Sequence, residues 1–263
     1  MDNNEIKRAN RKAMPVFILV VLICAIIGGA LGFFASKYGL NALTDDIKNT
    51  AAYFGMYIAP WLLLAVAVVF PGVYIPLYRK AKNLLTEWDG EDETVSDAAD
   101  KILTTVIWLT SVTLVVSYFL ISAAYSVGFS IFEDKKNILP FCIAIIAFLA
   151  VLVETVIIQQ KCVDAAKKLN PEKTASVYDM KFQKKWMESC DEAEKIMIGK
   201  CAYKAYAATN TACAILALVL AFSALIFETG FLASFTICVI WIVNLSVYMK
   251  EARRYSVAGN KLT

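Results

Sequence analysis

One carboxylate stands well inside an apolar run of this chain. It is Glu154, in Leu152-Val153-Glu154-Thr155-Val156-Ile157-Ile158-Gln159-Gln160-Lys161. At about 1.5 Å of rise per residue it lies roughly 10 Å of helix before Lys161. An acid at that depth is a candidate for ion- or proton-linked chemistry, and it needs a named partner. Lys204, with Lys200 second, is the expected partner at the matching end of a later apolar run. Thr209, Asn210 and Thr211 extend a polar track inward from it. The pairing has two readings, a structural ion pair or a transport site.

A second set of residues suits recognition rather than reaction. Phe182, Trp186, Cys190, Ala193, Met197 and Cys201 recur at spacings of three and four, which is one face of a helix. Lys181, Lys184, Lys185, Glu188, Asp191, Glu194 and Lys195 fall largely on the remaining surface, with Asp191 and Lys195 at the favourable i, i+4 offset. The pattern predicts a helix that starts near Phe182 and runs without a break into the following apolar run. Its stripe can dock a protein partner, lie on lipid or pack on neighbouring helices. Phe182, Lys184, Lys185 and Trp186 are the candidate partner contacts.

Much other chemistry is excluded by residue type. There is no histidine, which removes His-based acid–base catalysis, Ser/His and Cys/His nucleophile pairs and His-ligated metals. Seven cysteines are present, none spaced as CxxC, so neither a zinc ribbon nor a redox pair is supported. They read as small apolar fillers of helix interfaces. No phosphate-cradling GxxxxGK[ST] loop, HExxH or GxSxG motif appears. No catalytic residue, cofactor or metal site is assigned, and the chain is not expected to be an enzyme. Basic residues gather at the ends of apolar runs, where anionic lipid explains them better than nucleic acid does.

The elements that must position these residues are membrane helices. Of 263 residues 59% are hydrophobic, with a mean hydropathy of +0.59, against about 45–50% apolar for soluble domains. The apolar residues come in blocks long enough to span a bilayer. Six spans are expected, at about 14–36, 51–78, 102–125, 138–160, 205–227 and 231–249, forming one all-α membrane domain over 1–263. The first run is too long for the apolar core of a signal peptide. Its Gly28 and Gly32, four apart, form a face that lets another helix approach. Residues 37–50 read as a polar loop. Pro60, Pro71 and Pro76 fall in the second span, which predicts a kink near Pro71-Gly72. Trp88-Asp89-Gly90 marks a turn in a polar hairpin at 79–101, and 161–204 is the longest polar segment, read as a second hairpin with helical extensions.

Charge orients this arrangement. With the N-terminus in the cytoplasm, 22 of the 26 Lys and Arg residues fall on the inner side, ten of them within 161–204. The positive-inside rule therefore places both termini and both long hairpins in the cytoplasm. A weak internal similarity pairs Asp97-Ala98-Ala99-Asp100-Lys101-Ile102 with Asp191-Glu192-Ala193-Glu194-Lys195-Ile196, and ordinary helix-start preferences give the same residues.

Three stretches of the long polar segment carry a resemblance: Leu169-Asn170-Pro171-Glu172-Lys173, Val177-Tyr178-Asp179-Met180-Lys181-Phe182-Gln183-Lys184-Lys185-Trp186 and Glu188-Ser189-Cys190-Asp191-Glu192-Ala193-Glu194-Lys195. They resemble the central signature of domain-of-unknown-function family 3169, polytopic membrane proteins of Firmicutes of about this length. The resemblance implies a bacterial plasma membrane and no assigned activity. The expected function is that of a membrane interaction or regulatory component acting through its cytoplasmic helical loop. The expected partners are the lipid bilayer and a cytoplasmic or membrane protein. The alternative is a small permease or transporter subunit using Glu154.

Overall fold

The computed structural model describes residues 41–126, 135–173, 175–227 and 229–256, together with separate helical positions between Met14 and Phe33. Most of the expected first span, including Gly28 and Gly32, lies outside the described residues, as does the N-terminal tail. Everything described is helix, turn or loop, with no strand among the described residues. The helices are α1 (Asn41–Tyr53), α2 (Ala59–Val69), α3 (Pro71–Glu87), α4 (Glu93–Tyr125), α5 (Lys135–Leu169), α6 (Phe182–Glu188), α7 (Glu192–Phe227) and α8 (Leu232–Ser256), with a π-helical turn at Phe54–Ile58.

Among the described residues five helices are long and apolar enough to cross a membrane: Asp46–Glu87, Glu93–Tyr125, Lys135–Leu169, Glu192–Ala224 and Leu232–Glu251. The chain divides into two compact units, Lys48–Ile198 and Met1–Ile47 with Gly199–Thr263.

Two expectations are corrected. Residues 41–50 are not a loop: α1 covers them, since no glycine or proline intervenes between Asn41 and Tyr53 to stop the helix. Nor does one helix run unbroken from Phe182 into the apolar run. It stops at Glu188 and restarts at Glu192, because Asp191 and Glu194 form a capping box. Asp191 Oδ1 accepts from the Glu194 amide at 2.7 Å, and Glu194 Oε2 accepts from the Asp191 amide at 3.0 Å.

Prolines shape the second apolar run. Pro60 has no amide to donate to the carbonyl four residues back, and the π-turn just before it is closed by the Ala59 amide donating to the Phe54 carbonyl. The α-helical run is next interrupted at Phe70, one residue before Pro71. Gly55 is buried in the π-turn, and a Cβ there would strike the Ala123 carbonyl oxygen on α4.

Within Lys48–Ile198 the helices α2 to α5 pack on one another through two clusters. One joins Ala59, Leu63 and Ala67 of α2 to Leu120, Ile121 and Ala124 of α4 and to Ala144, Ala147 and Val151 of α5. Small residues suit this place, because helices in lipid associate by close packing rather than by escape from water. The second cluster joins Tyr74 and Ala81 of α3 to Leu103 and Val106 of α4 and to Ile158, Cys162, Ala165 and Ala166 of α5. Buried hydroxyls of α4 are handled locally: Thr110, Thr113 and Ser117 each donate to a backbone carbonyl one turn back. Gln159 on α5 reaches across to Thr110 and Ser111, at 3.2 Å each.

Candidate functional site

The segment after α5 folds back onto it, and Gln160 is the clamp. Its Oε1 accepts from the Val177 amide at 2.7 Å and from the Ser176 hydroxyl at 3.1 Å, while its Nε2 donates to Asp164 at 2.8 Å. Ala175, within this loop, is wholly buried. Asn170-Pro171-Glu172 makes the reversal that starts it, with the Lys173 amide donating to the Asn170 carbonyl.

Lys173 is the buried centre of the segment, 3% exposed. Its ammonium pairs with Glu194, donates to the Ser189 carbonyl and to Cys190 Sγ at 3.3 Å each, and lies 5.6 Å from the centre of the Trp186 ring. Burial alone would pull the ammonium down. The hydrogen bonds it donates to Glu194 and Cys190 outweigh it and hold the group above its ordinary value. A buried charge without such partners would be costly, so this constellation fixes α6 and the start of α7 around one side chain. Trp186 also packs against the second cluster, and Phe182 stacks obliquely on it at 5.7 Å.

The candidate partner contacts therefore separate. Trp186 is committed to the inside of the segment. Lys185 is tied to Asp179, and Lys184 is an exposed side chain 3.7 Å from Glu188. The residues that do project come from the turn before α6: Tyr178 is 67% exposed and Met180 fully so. The turn is held from both sides. The Asp179 amide donates to the Ser176 carbonyl at 2.9 Å, and the Asp179 carboxylate accepts from the Lys181 amide at 2.8 Å and from Lys185. The Lys185 hydrogen bond, then that amide, holds the Asp179 carboxyl below its usual range.

Beside Lys173 lies a cleft of about 420 Å³, to which Trp88, Asp97, Asp100, Trp186 and Glu194 contribute. Its far wall is set by the α3–α4 turn. Trp88 Nε1 donates to the Asp92 carbonyl at 3.0 Å, Asp89 accepts from the Glu91 and Asp92 amides, and Gly90 takes φ of +94°. Asp92 caps α4 by accepting from the Thr94 amide. Asp97 thus lies inside α4, whereas Asp191 precedes α7. The two similar sequence segments stand at different points of their helices.

Glu154 has a partner that its sequence setting did not name. Its hydrogen-bond partner is Tyr74 on α3, whose hydroxyl donates to Oε2 at 3.3 Å. Lys204 belongs to the other unit. Glu154 lines a groove of about 400 Å³ between α3 and α5. Asn210, the third residue of the expected polar site, joins α7 to α8: its Oδ1 accepts from Trp241 Nε1 at 3.1 Å and Asn244 Nδ2 at 3.2 Å. Tyr206 and Tyr248 stack at 4.3 Å between the same two helices.

Sequence reasoning missed Lys173, Gln160 and Tyr74. Lys173 sits in polar surroundings that give no hint of burial, Gln160 reads as the polar end of an apolar run, and Tyr74 is one aromatic residue among many. The capping pair Asp191 and Glu194 carried a readable signal, an acid three residues before a second acid ahead of an apolar run.

No curated protein and no solved structure matches this chain. The family model described as Protein of unknown function (DUF3169) matches residues 8–252, and the chain accordingly belongs to that family.

Proposed function

We propose that this protein is a multi-pass component of a bacterial plasma membrane that acts by binding a protein partner in the cytoplasm, not by catalysis. The observation that carries this reading is the rigid turn at Tyr178–Met180. An exposed tyrosine and methionine are types enriched at interface cores. Here they are presented from a backbone already fixed by Asp179, Lys181 and Lys185, so little ordering entropy opposes binding. Lys184, exposed on the next turn, adds a cation to the rim. The expected partner surface is an apolar pocket edged by carboxylates.

The test is purification from native membranes in mild detergent. A stoichiometric partner that accompanies the wild type and is lost from Met180→Asp and from Lys184→Glu supports the reading. Recovery of the protein alone, with the segment protected from protease, counts against it. Lys185 is unsuitable for this test, since its reversal also breaks the pair with Asp179.

A second reading, a permease subunit, draws on Glu154 lining an open groove beside Tyr74. It predicts pH-dependent flux in liposomes that Glu154→Gln abolishes. Unchanged flux removes it.

A further inference from the structure

The groove between α3 and α5 has two chemically distinct ends. At one end Arg79 and Lys82 of α3 face Lys161 of α5, with the Tyr78 phenol beside them. None of the three cations forms an ion pair among the described residues. Away from them the wall becomes apolar, with Ile75 from α3 and Ile157 from α5. Ile157 is 43% exposed on a helix long and apolar enough to cross a membrane. The groove's carboxyl, Glu154, is at the far end, about 10 Å of helix rise from Lys161, and is hydrogen-bonded by Tyr74. Three unpaired cations closing an apolar slot on a lipid-facing helix pair match a phosphate ester joined to an acyl chain.

We propose that this groove binds one anionic phospholipid, its phosphate held between Arg79, Lys82 and Lys161 and one acyl chain lying over Ile75 and Ile157. The charge favours an anionic over a zwitterionic headgroup, because a choline or ethanolamine cation would be brought up to a triad that already carries three positive charges. Basic pockets between membrane helices take anionic headgroups for this reason. The site is independent of the Tyr178–Met180 turn and does not require that turn to bind a protein.

Native mass spectrometry of the full chain, released from detergent containing equimolar phosphatidylglycerol and phosphatidylcholine, tests this. The wild type is expected to retain one phosphatidylglycerol in preference. Arg79→Gln/Lys82→Gln/Lys161→Gln should weaken retention on the order of a hundredfold. The charge-matched control Lys80→Gln/Lys101→Gln/Lys168→Gln should retain it. Ile157→Trp keeps every cation, fills the slot and should also lose the lipid. Equal loss from groove and control variants, or full retention by Ile157→Trp, overturns the proposal. Excess sn-glycerol 3-phosphate should leave the lipid in place. Its displacement would mean that the anion alone is recognised, and would overturn the lipid assignment.

Discussion

Lys173 and Glu194, 21 residues apart in sequence, meet as an ion pair whose lysine side chain is 1% exposed. The same carboxylate accepts from the Asp191 amide to cap α7. One acid therefore both starts the long helix and anchors the loop that precedes it. Removing the acid strands the buried ammonium, whereas removing the lysine leaves a carboxylate that is 29% exposed and still holds the Asp191 amide. Glu194→Gln should therefore destabilise the segment by about 3–5 kcal/mol, and Lys173→Met by less. Lys173→Met combined with Glu194→Gln should cost less than the sum of the single changes, because the two act through one contact. Tryptic cleavage rates at Lys181 and Lys184 in the purified protein measure both.

Gln160 fixes the other end of the loop. Gln160→Ala leaves the Val177 amide without its acceptor, at a cost of about 1–3 kcal/mol. Hydrogen exchange at Val177 should accelerate correspondingly, while amides in the middle of α5 keep their protection. Equal loosening in both places would contradict the clamp.

Gly55 is a packing requirement. Gly55→Ala drives a methyl group into the Ala123 carbonyl. Overpacking of this kind costs typically about 1–3 kcal/mol, read as a lower unfolding midpoint in detergent. Gly72, whose Cβ would meet nothing within 4 Å, should tolerate alanine.

The loop should come loose at both extremes of pH. Asp179 is held below the ordinary carboxyl value, so its contribution is present above that value and is lost as pH falls through the depressed one. Lys173 is held above the ordinary lysine value of 10.5. Its contribution is complete below 10.5 and is lost as pH rises through the raised value. Between these limits protease resistance of the segment should be flat. Asp179→Asn should reduce the acid-side change, leaving the part that comes from protonation of the Lys173–Glu194 pair, and should not alter the alkaline one.

The apolar runs made the helices legible, because runs of that length have few alternatives. The proline positions pointed to the interruption at Phe70. The π-turn was hidden, because Phe54–Ile58 reads as ordinary helix in composition. The polar segment was legible only as charge. Helical spacing correctly put Trp186 with the apolar stripe, but whether that stripe faces inward or outward depends on Lys173, and a lysine among nine others gives no sign of being buried. Glu154 was found by its setting, whereas its contact with Tyr74 depends on how α3 and α5 meet, which spacing along one helix does not encode.

The proposed role of the cytoplasmic segment requires that Met180 meet a protein. A photoactivatable residue at position 180, irradiated in native membranes, tests this most directly. One discrete protein adduct that saturates with expression level and disappears with Lys184→Glu is the predicted result. Adducts to lipid alone, or the same diffuse labelling seen from a probe at Lys80, would contradict it.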